Sequence, residues 1–221
     1  MTDNTHGMHT ELLKSDALGH IEIVTDGALR WIRRDTRTAR FGMRWIARAA
    51  AAREARVLGK LSGVNGVPQL IAWQGGVLDR SFMDGAPMQR AQPSDPAFYR
   101  AAHRLLKQLR ERGVVHNDLA KEPNWLQRLD GSPAVVDFQI AWARQRGGSL
   151  FRLLAREDLR HLLKHKRTYC PQCVTATERR VLARRSWIAN AWKQSGKRLY
   201  KLVARRLFGY WDNEGKGRVR D

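Results

Sequence analysis

Apolar and polar positions divide the chain into recognisable segments. "GHIEIVTDGALRWIRRD" alternates around Asp26-Gly27, which predicts two short strands joined by a tight turn. From Thr38 to Leu61 the period lengthens to that of a helix, Ala-rich in its centre, with Gly59 and Gly63 near its end. "VPQLIAW" and "GVLDRSFM" read as two more strands, separated by Gly75-Gly76. "DGAPMQRAQPSDP" breaks every period and reads as a linker. Amphipathic helices follow at "PAFYRAAHRLLKQLRERG", closed by Gly113, and at "SLFRLLAREDLRHLLKHKR". Between them lie a polar loop, "VVHNDLAKEPNW", and an apolar β-like run, "AVVDFQIAW", interrupted by Asp137. The remainder, to about Tyr210, is basic and helical in pattern. The order of segments predicts a two-lobed α+β plan, with a sheet-rich N-terminal lobe over 1–84 and a helical lobe over 85–221.

Composition narrows the class. With 43% hydrophobic residues in 221, the chain can bury a real core. Lys and Arg outnumber Asp and Glu by 41 to 21, a formal charge of +20 that favours anionic partners without choosing among them. No apolar run is long enough to span a bilayer, and the first residues lack a signal-peptide core. Two cysteines give no disulfide framework, so a reducing cytoplasm is the expected location and free thiols the expected state.

The polar loop concentrates candidate chemistry. Phosphoryl transfer from ATP needs a carboxylate for the acceptor hydroxyl, oxygen ligands for Mg²⁺ and a cation against the phosphates. Asp118 and Asn124 share this loop, and Asp137 follows Asn124 by thirteen residues, on a segment that a hairpin could bring alongside.

His116 to Asn124, "HNDLAKEPN", followed by "DFQ" at Asp137 to Gln139, resembles the protein-kinase-like superfamily. The resemblance covers roughly residues 15 to 165 and is nearest to small kinases of the RIO and lipopolysaccharide-core (Kdo/WaaP-like) type. It implies a two-lobed kinase-like fold with ATP and Mg²⁺ as cofactors. Asp118 would be the catalytic base, Lys121 the lysine meeting the transferred phosphate, and Asn124 and Asp137 the metal ligands. His116 would brace the loop, and Asp158 would anchor it from beneath. Glu54 would pair with the phosphate-binding cation, and the backbone at Phe82, Met83 and Asp84 would hold the adenine edge.

The chain departs from the family pattern in four places. One extra residue, as though Ala120 were inserted, separates Asp118 from Asn124. The strand cation is an arginine. Alternation puts Ile32 and Arg34 on one face, and Ile32 suits a flat base better than Trp31, which favours Arg34 over Arg33. No G-x-G-x-x-G is present, only Gly19 at the first turn, and the segment after Asp137 is too short for a long activation loop.

The implied reaction is Mg-ATP-dependent phosphorylation of an alcohol, either a protein Ser/Thr or a lipopolysaccharide-core sugar. The departures keep open a catalytically inactive, kinase-like nucleotide-binding or scaffold module. Specific nucleic-acid binding is not expected.

His161, His165, Cys170 and Cys173 offer zinc-type ligands, but they spread over one helix and its cap; zinc and ordinary helix-end residues both stay open. Arg37, Arg40, Arg44 and Arg48 form a basic stripe on the predicted long helix. Trp187, Trp192, Leu199, Val203 and Leu207 form an apolar seam beside lysines and arginines. Such a tail suits either core packing or peripheral contact with an anionic membrane at its inner face.

Overall fold

The computed structural model describes residues 8–144 and 148–183. Five strands form an antiparallel sheet in the order β1-β2-β3-β5-β4: β1 (His9–Asp16), β2 (Gly19–Asp26), β3 (Leu29–Asp35), β4 (Leu70–Gln74) and β5 (Val77–Ser81). The hairpin expected at Asp26-Gly27 is β2–β3, with Asp26 opposite Leu29. β1 is an addition to the predicted plan. It is exposed along nearly its whole length and so carries no core-facing alternation. Its two-residue turn into β2 ends on Gly19 at φ 110°, where a Cβ would run into the Asp35 carbonyl oxygen.

Helix α1 (Arg44–Lys60) begins six residues later than the period from Thr38 implied. Asp35 caps a single 3-10 turn over Thr36–Thr38, and Gly42 at φ 84° breaks the path before the helix starts. Arg37 and Arg40 therefore precede the helix, and Arg37 is bound by the Asp35 carboxylate at 2.7 Å. The expected four-residue stripe reduces to Arg44 and Arg48. The buried face of α1 is Ala47, Ala51, Ala55, Val57 and Leu58, interrupted by one acid, Glu54. Three alanines there let the helix lie close to the sheet.

The segment expected as a linker is ordered: β6 (Ala86–Pro87) and α2 (Met88–Ala91) lie within it. Both are too short to show a period, yet Met88 is fully buried and β6 pairs with β8 (Trp125–Gln127). The expected lobe boundary at residue 84 falls between β5 and β6. Helix α3 (Pro96–Glu111) starts where Asp95 accepts from the Ala97 N–H at 2.7 Å and Pro96 takes the first position.

Beyond α3 come β7 (Val114–Val115), β8, β9 (Pro133–Val135), β10 (Trp142–Ala143), α4 (Ser149–Tyr169) and α5 (Ala176–Ala183). β6, β8 and β9 form one small sheet, β7 and β10 another. The apolar β-like run interrupted by Asp137 contains the end of β9 and the start of β10, with Asp137 at φ 69° between them. The main core gathers Leu58 of α1 and Leu61 just after it with Met88, Leu105, Leu109, Leu119, Trp125, Phe138 and Leu162. α1 thereby packs against the helical part of the fold as well as the sheet. Each fully buried side chain of this size contributes about 1.5–3 kcal/mol relative to exposure.

Cys170 and Cys173 are joined as a disulfide at the end of α4, so the expectation of free thiols is corrected. Proximity explains it: Cys170 ends the helix, and a 3-10 turn over Pro171–Cys173 folds the second cysteine back. His165 donates from Nε2 to the Leu119 carbonyl at 2.9 Å. Among the described residues no group of three or more His, Cys, Asp or Glu is placed to hold a metal. No described helix is long and apolar enough to cross a membrane. The seam from Trp187 to Leu207 lies outside the described residues.

Candidate functional site

The polar loop is fixed from three directions. Asp158 on α4 accepts the backbone N–H groups of His116 at 2.7 Å and Asn117 at 3.0 Å. Burial pushes its carboxyl up to about 7 against the opposing pull of those two donors. His116 is fully buried, with its ring 4.6 Å from that of Phe138. Its Nε2 lies 3.0 Å from the Val136 carbonyl, which can only accept, so Nε2 carries the proton. Nδ1 then accepts the Asp118 N–H at 3.3 Å. Burial lowers the imidazole to about 4 and keeps it neutral.

The extra residue of the loop is taken up locally. The Lys121 N–H reaches the Asp118 carbonyl, the Asn124 N–H reaches the Lys121 carbonyl, and a 3-10 turn over Glu122–Asn124 closes the path. Asn124 Nδ2 then donates to the Asp118 carbonyl at 2.9 Å and to Asp118 Oδ2 at 3.1 Å. With both amide hydrogens engaged, Oδ1 is the remaining side-chain acceptor of Asn124. Lys121 Nζ lies 2.9 Å from Asp118 Oδ2. The Val136 N–H bonds the Asn124 carbonyl at 3.0 Å, so the β8–β9 hairpin sets Asn124 beside the residue preceding Asp137. Asp137 Oδ1 is buried and makes no hydrogen bond. An orphaned carboxylate oxygen costs on the order of 1–3 kcal/mol unless something compensates it.

Opposite the loop, the inward face of the sheet carries two cations. Arg34 on β3 is buried, while Arg33 points to the other face and makes two parallel bonds of 2.9 Å to Asp79. Burial lowers the Arg34 guanidinium; the charge of Glu54 opposes that shift, Arg80 adds to it, and Asp137 opposes it more weakly.

Glu54 and Arg34 form no ion pair within 4 Å, contrary to the pairing the resemblance implied. The Glu54 partner is Arg80, Nη1 to Oε1 at 3.2 Å. The contact is one of charge and proximity, since neither Glu54 oxygen has an aligned hydrogen bond. The register explains the exchange: Arg80 stands opposite Ile32 and Arg34 opposite Leu78, so both guanidiniums share one face from adjacent strands. Arg80 was legible in "VLDRS", where alternation puts Leu78 and Arg80 on one side and Asp79 on the other.

Phe82, Met83 and Asp84 form the extended connection from β5 to β6. The Phe82 N–H bonds the Arg30 carbonyl at 3.4 Å, and the Arg30 guanidinium lies 4.3 Å above the Phe82 ring. Gly85 follows at φ 153°, where a Cβ would meet the Gln127 carbonyl at 2.8 Å.

No known protein-family profile and no curated protein matches the chain. Among solved structures it is similar to the Rio2 kinase from Chaetomium thermophilum in its ADP/Mg²⁺-phosphoaspartate complex. That match has a TM-score of 0.59 and 17% identity, and covers 88% of this chain and 68% of the other. A second Rio2 kinase structure from the same organism aligns with a TM-score of 0.58 and 14% identity, covering 85% and 73%. The α+β architecture is a protein-kinase-like fold.

Proposed function

We propose that the protein is an ATP-dependent phosphotransferase acting on an alcohol. The observation that carries this reading is the buried, unbonded Oδ1 of Asp137 on a hairpin that also holds Asn124. A hard divalent cation suits such an oxygen donor set, so Asp137 and Asn124 are the residues that would hold Mg²⁺. The metal would supply charge neutralisation on the transferred phosphoryl group. Asp118 orients the acceptor hydroxyl and takes its proton, Lys121 meets the transferred phosphate, and Arg34 steadies the phosphates. Glu54 keeps that cationic face balanced, and the backbone of Phe82 to Asp84 takes the adenine edge. The acceptor is a protein Ser/Thr or an anionic sugar such as that of a lipopolysaccharide core, in the cytoplasm or at the inner membrane face. The +20 charge supports the anionic choice.

One observation favours a nucleotide-binding module without turnover: Asp118 Oδ2 is already engaged by Lys121 and Asn124. Mg²⁺-dependent ATP turnover by the wild type against Asp118→Asn and Asp137→Ala separates the two readings. Loss of at least about a hundredfold in both variants supports phosphotransfer. Equal rates for all three proteins refute it, and nucleotide binding without wild-type turnover establishes the module.

A further inference from the structure

A cavity of about 490 Å³ opens between α1, the start of the polar loop, residues 140–143 and the first turns of α4. Arg53 and Arg56 form its basic wall, and Asn117, Ile140, Trp142 and Leu154 contribute to the rest. Three observations distinguish it from ordinary surface. Its volume is that of a small-molecule site. Among the described residues no acid lines it, and neither Arg53 nor Arg56 pairs with a carboxylate. Its two arginines stand three apart on one helix face, beside an apolar floor where Ile140 is half exposed.

We infer that this cavity binds a small phosphate-bearing ligand with an apolar body. Paired guanidiniums match the oxygens of a phosphomonoester, each capable of two parallel hydrogen bonds. Trp142 and Ile140 would cover the organic part. Arg144, whose guanidinium lies 5.6 Å from the Trp142 ring centre, adds positive potential at the rim. The position gives the ligand a consequence. Arg53 and Arg56 flank Glu54 on α1, and Asn117 directly precedes Asp118, so a bound anion bridges the helix and the polar loop. The inference does not depend on the phosphotransferase reading, because Arg53 and Arg56 take no part in that reading and the test is binding alone.

Phenyl phosphate is titrated into the full-length protein by calorimetry at about physiological ionic strength, with inorganic phosphate as the comparison. The wild type is expected to bind one phenyl phosphate saturably and more tightly than inorganic phosphate. The double variant Arg53→Gln/Arg56→Gln should weaken binding at least about tenfold. Arg44→Gln/Arg48→Gln removes the same charge from the same helix outside the cavity and should leave affinity within about twofold. All four arginines are exposed, so folding is not at stake. Equal weakening by the two doubles would make the attraction a property of net charge and overturn the site. Absence of saturation would overturn it too, and inorganic phosphate binding as tightly as phenyl phosphate would remove the apolar half of the inference.

Discussion

The exchange of partners around Glu54 makes a quantitative prediction. Glu54 is fully buried, Arg80 lies 3.2 Å away, and Arg34 is buried on the same sheet face. At an effective dielectric near 20, a pair at that separation interacts by roughly 5 kcal/mol, and desolvation of both groups cancels part of it. Glu54→Gln keeps the shape but leaves two buried guanidiniums facing one another. The expected cost is about 3–5 kcal/mol, the range for breaking a buried pair from one side. Arg80→Met removes the closer cation while Arg34 still faces the carboxylate, so roughly 1–3 kcal/mol is expected. In the double variant the guanidinium that Glu54→Gln strands is itself gone. Its cost should therefore fall below the sum of the single costs by at least about 1 kcal/mol. Urea denaturation with a constant m-value measures all four proteins. Additivity within about 0.5 kcal/mol would show that Glu54 and Arg80 do not interact and would refute the arrangement.

Two further predictions concern the loop and its support. The His116 ring should titrate near 4, and its imidazole resonances should report the neutral Nε2-protonated form at pH 6. Because the folded value lies below the ordinary 6.5, the unfolded chain binds more protons between about 4 and 6.5, and this contribution to stability is lost as pH falls through that window. Asp158 has the opposite sign: its folded value is raised to about 7, so its contribution is lost as pH rises towards 7, which makes ring NMR a cleaner readout than a melting curve. A His116 midpoint near 6.5 would contradict the buried hydrogen-bond chain. Gly113 sits at φ 70°, where a Cβ would run into the Arg144 carbonyl oxygen. Gly113→Ala should destabilise by more than about 1 kcal/mol in thermal unfolding, and a neutral effect would show that the β7–β10 approach is loose.

What the sequence made legible was whatever carried a period or a turn signal. The β2–β3 hairpin, α3 and α4 have both, and alternation also separated Arg34 from Arg33. β1 escaped because it buries almost nothing, and β6 and α2 because two and four residues cannot display a period. The start of α1 was misplaced because Ala-rich helical composition does not register the Asp35 cap and Gly42 that delay it. Asp158 was placed through the resemblance alone; from its own neighbours it reads as an ordinary helix acid. The role of Arg80 is hidden although its strand alternates plainly, because the register that sets it beside Arg34 is not written in either strand by itself.

The six-residue spacing from Asp118 to Asn124 shows how local geometry can overrule a motif count. An inserted residue would displace a ligand group if the loop were otherwise held only at its ends. Here the added length is consumed by two successive turns, Asp118 to Lys121 and Lys121 to Asn124, and the Asn124 amide returns to Asp118 at the end of them. The start of the loop cannot drift, because Asp158 holds two of its N–H groups and His116 joins Asp118 to Val136 through one ring. The far end cannot drift either, since Val136 also bonds the Asn124 carbonyl. Val136 therefore contacts both ends of the loop, its carbonyl at His116 and its N–H at Asn124, one residue before Asp137. The positions of Asp118, Asn124 and Asp137 are set through that one residue, and the count of residues between the first two matters less than the bonds that close the loop upon it.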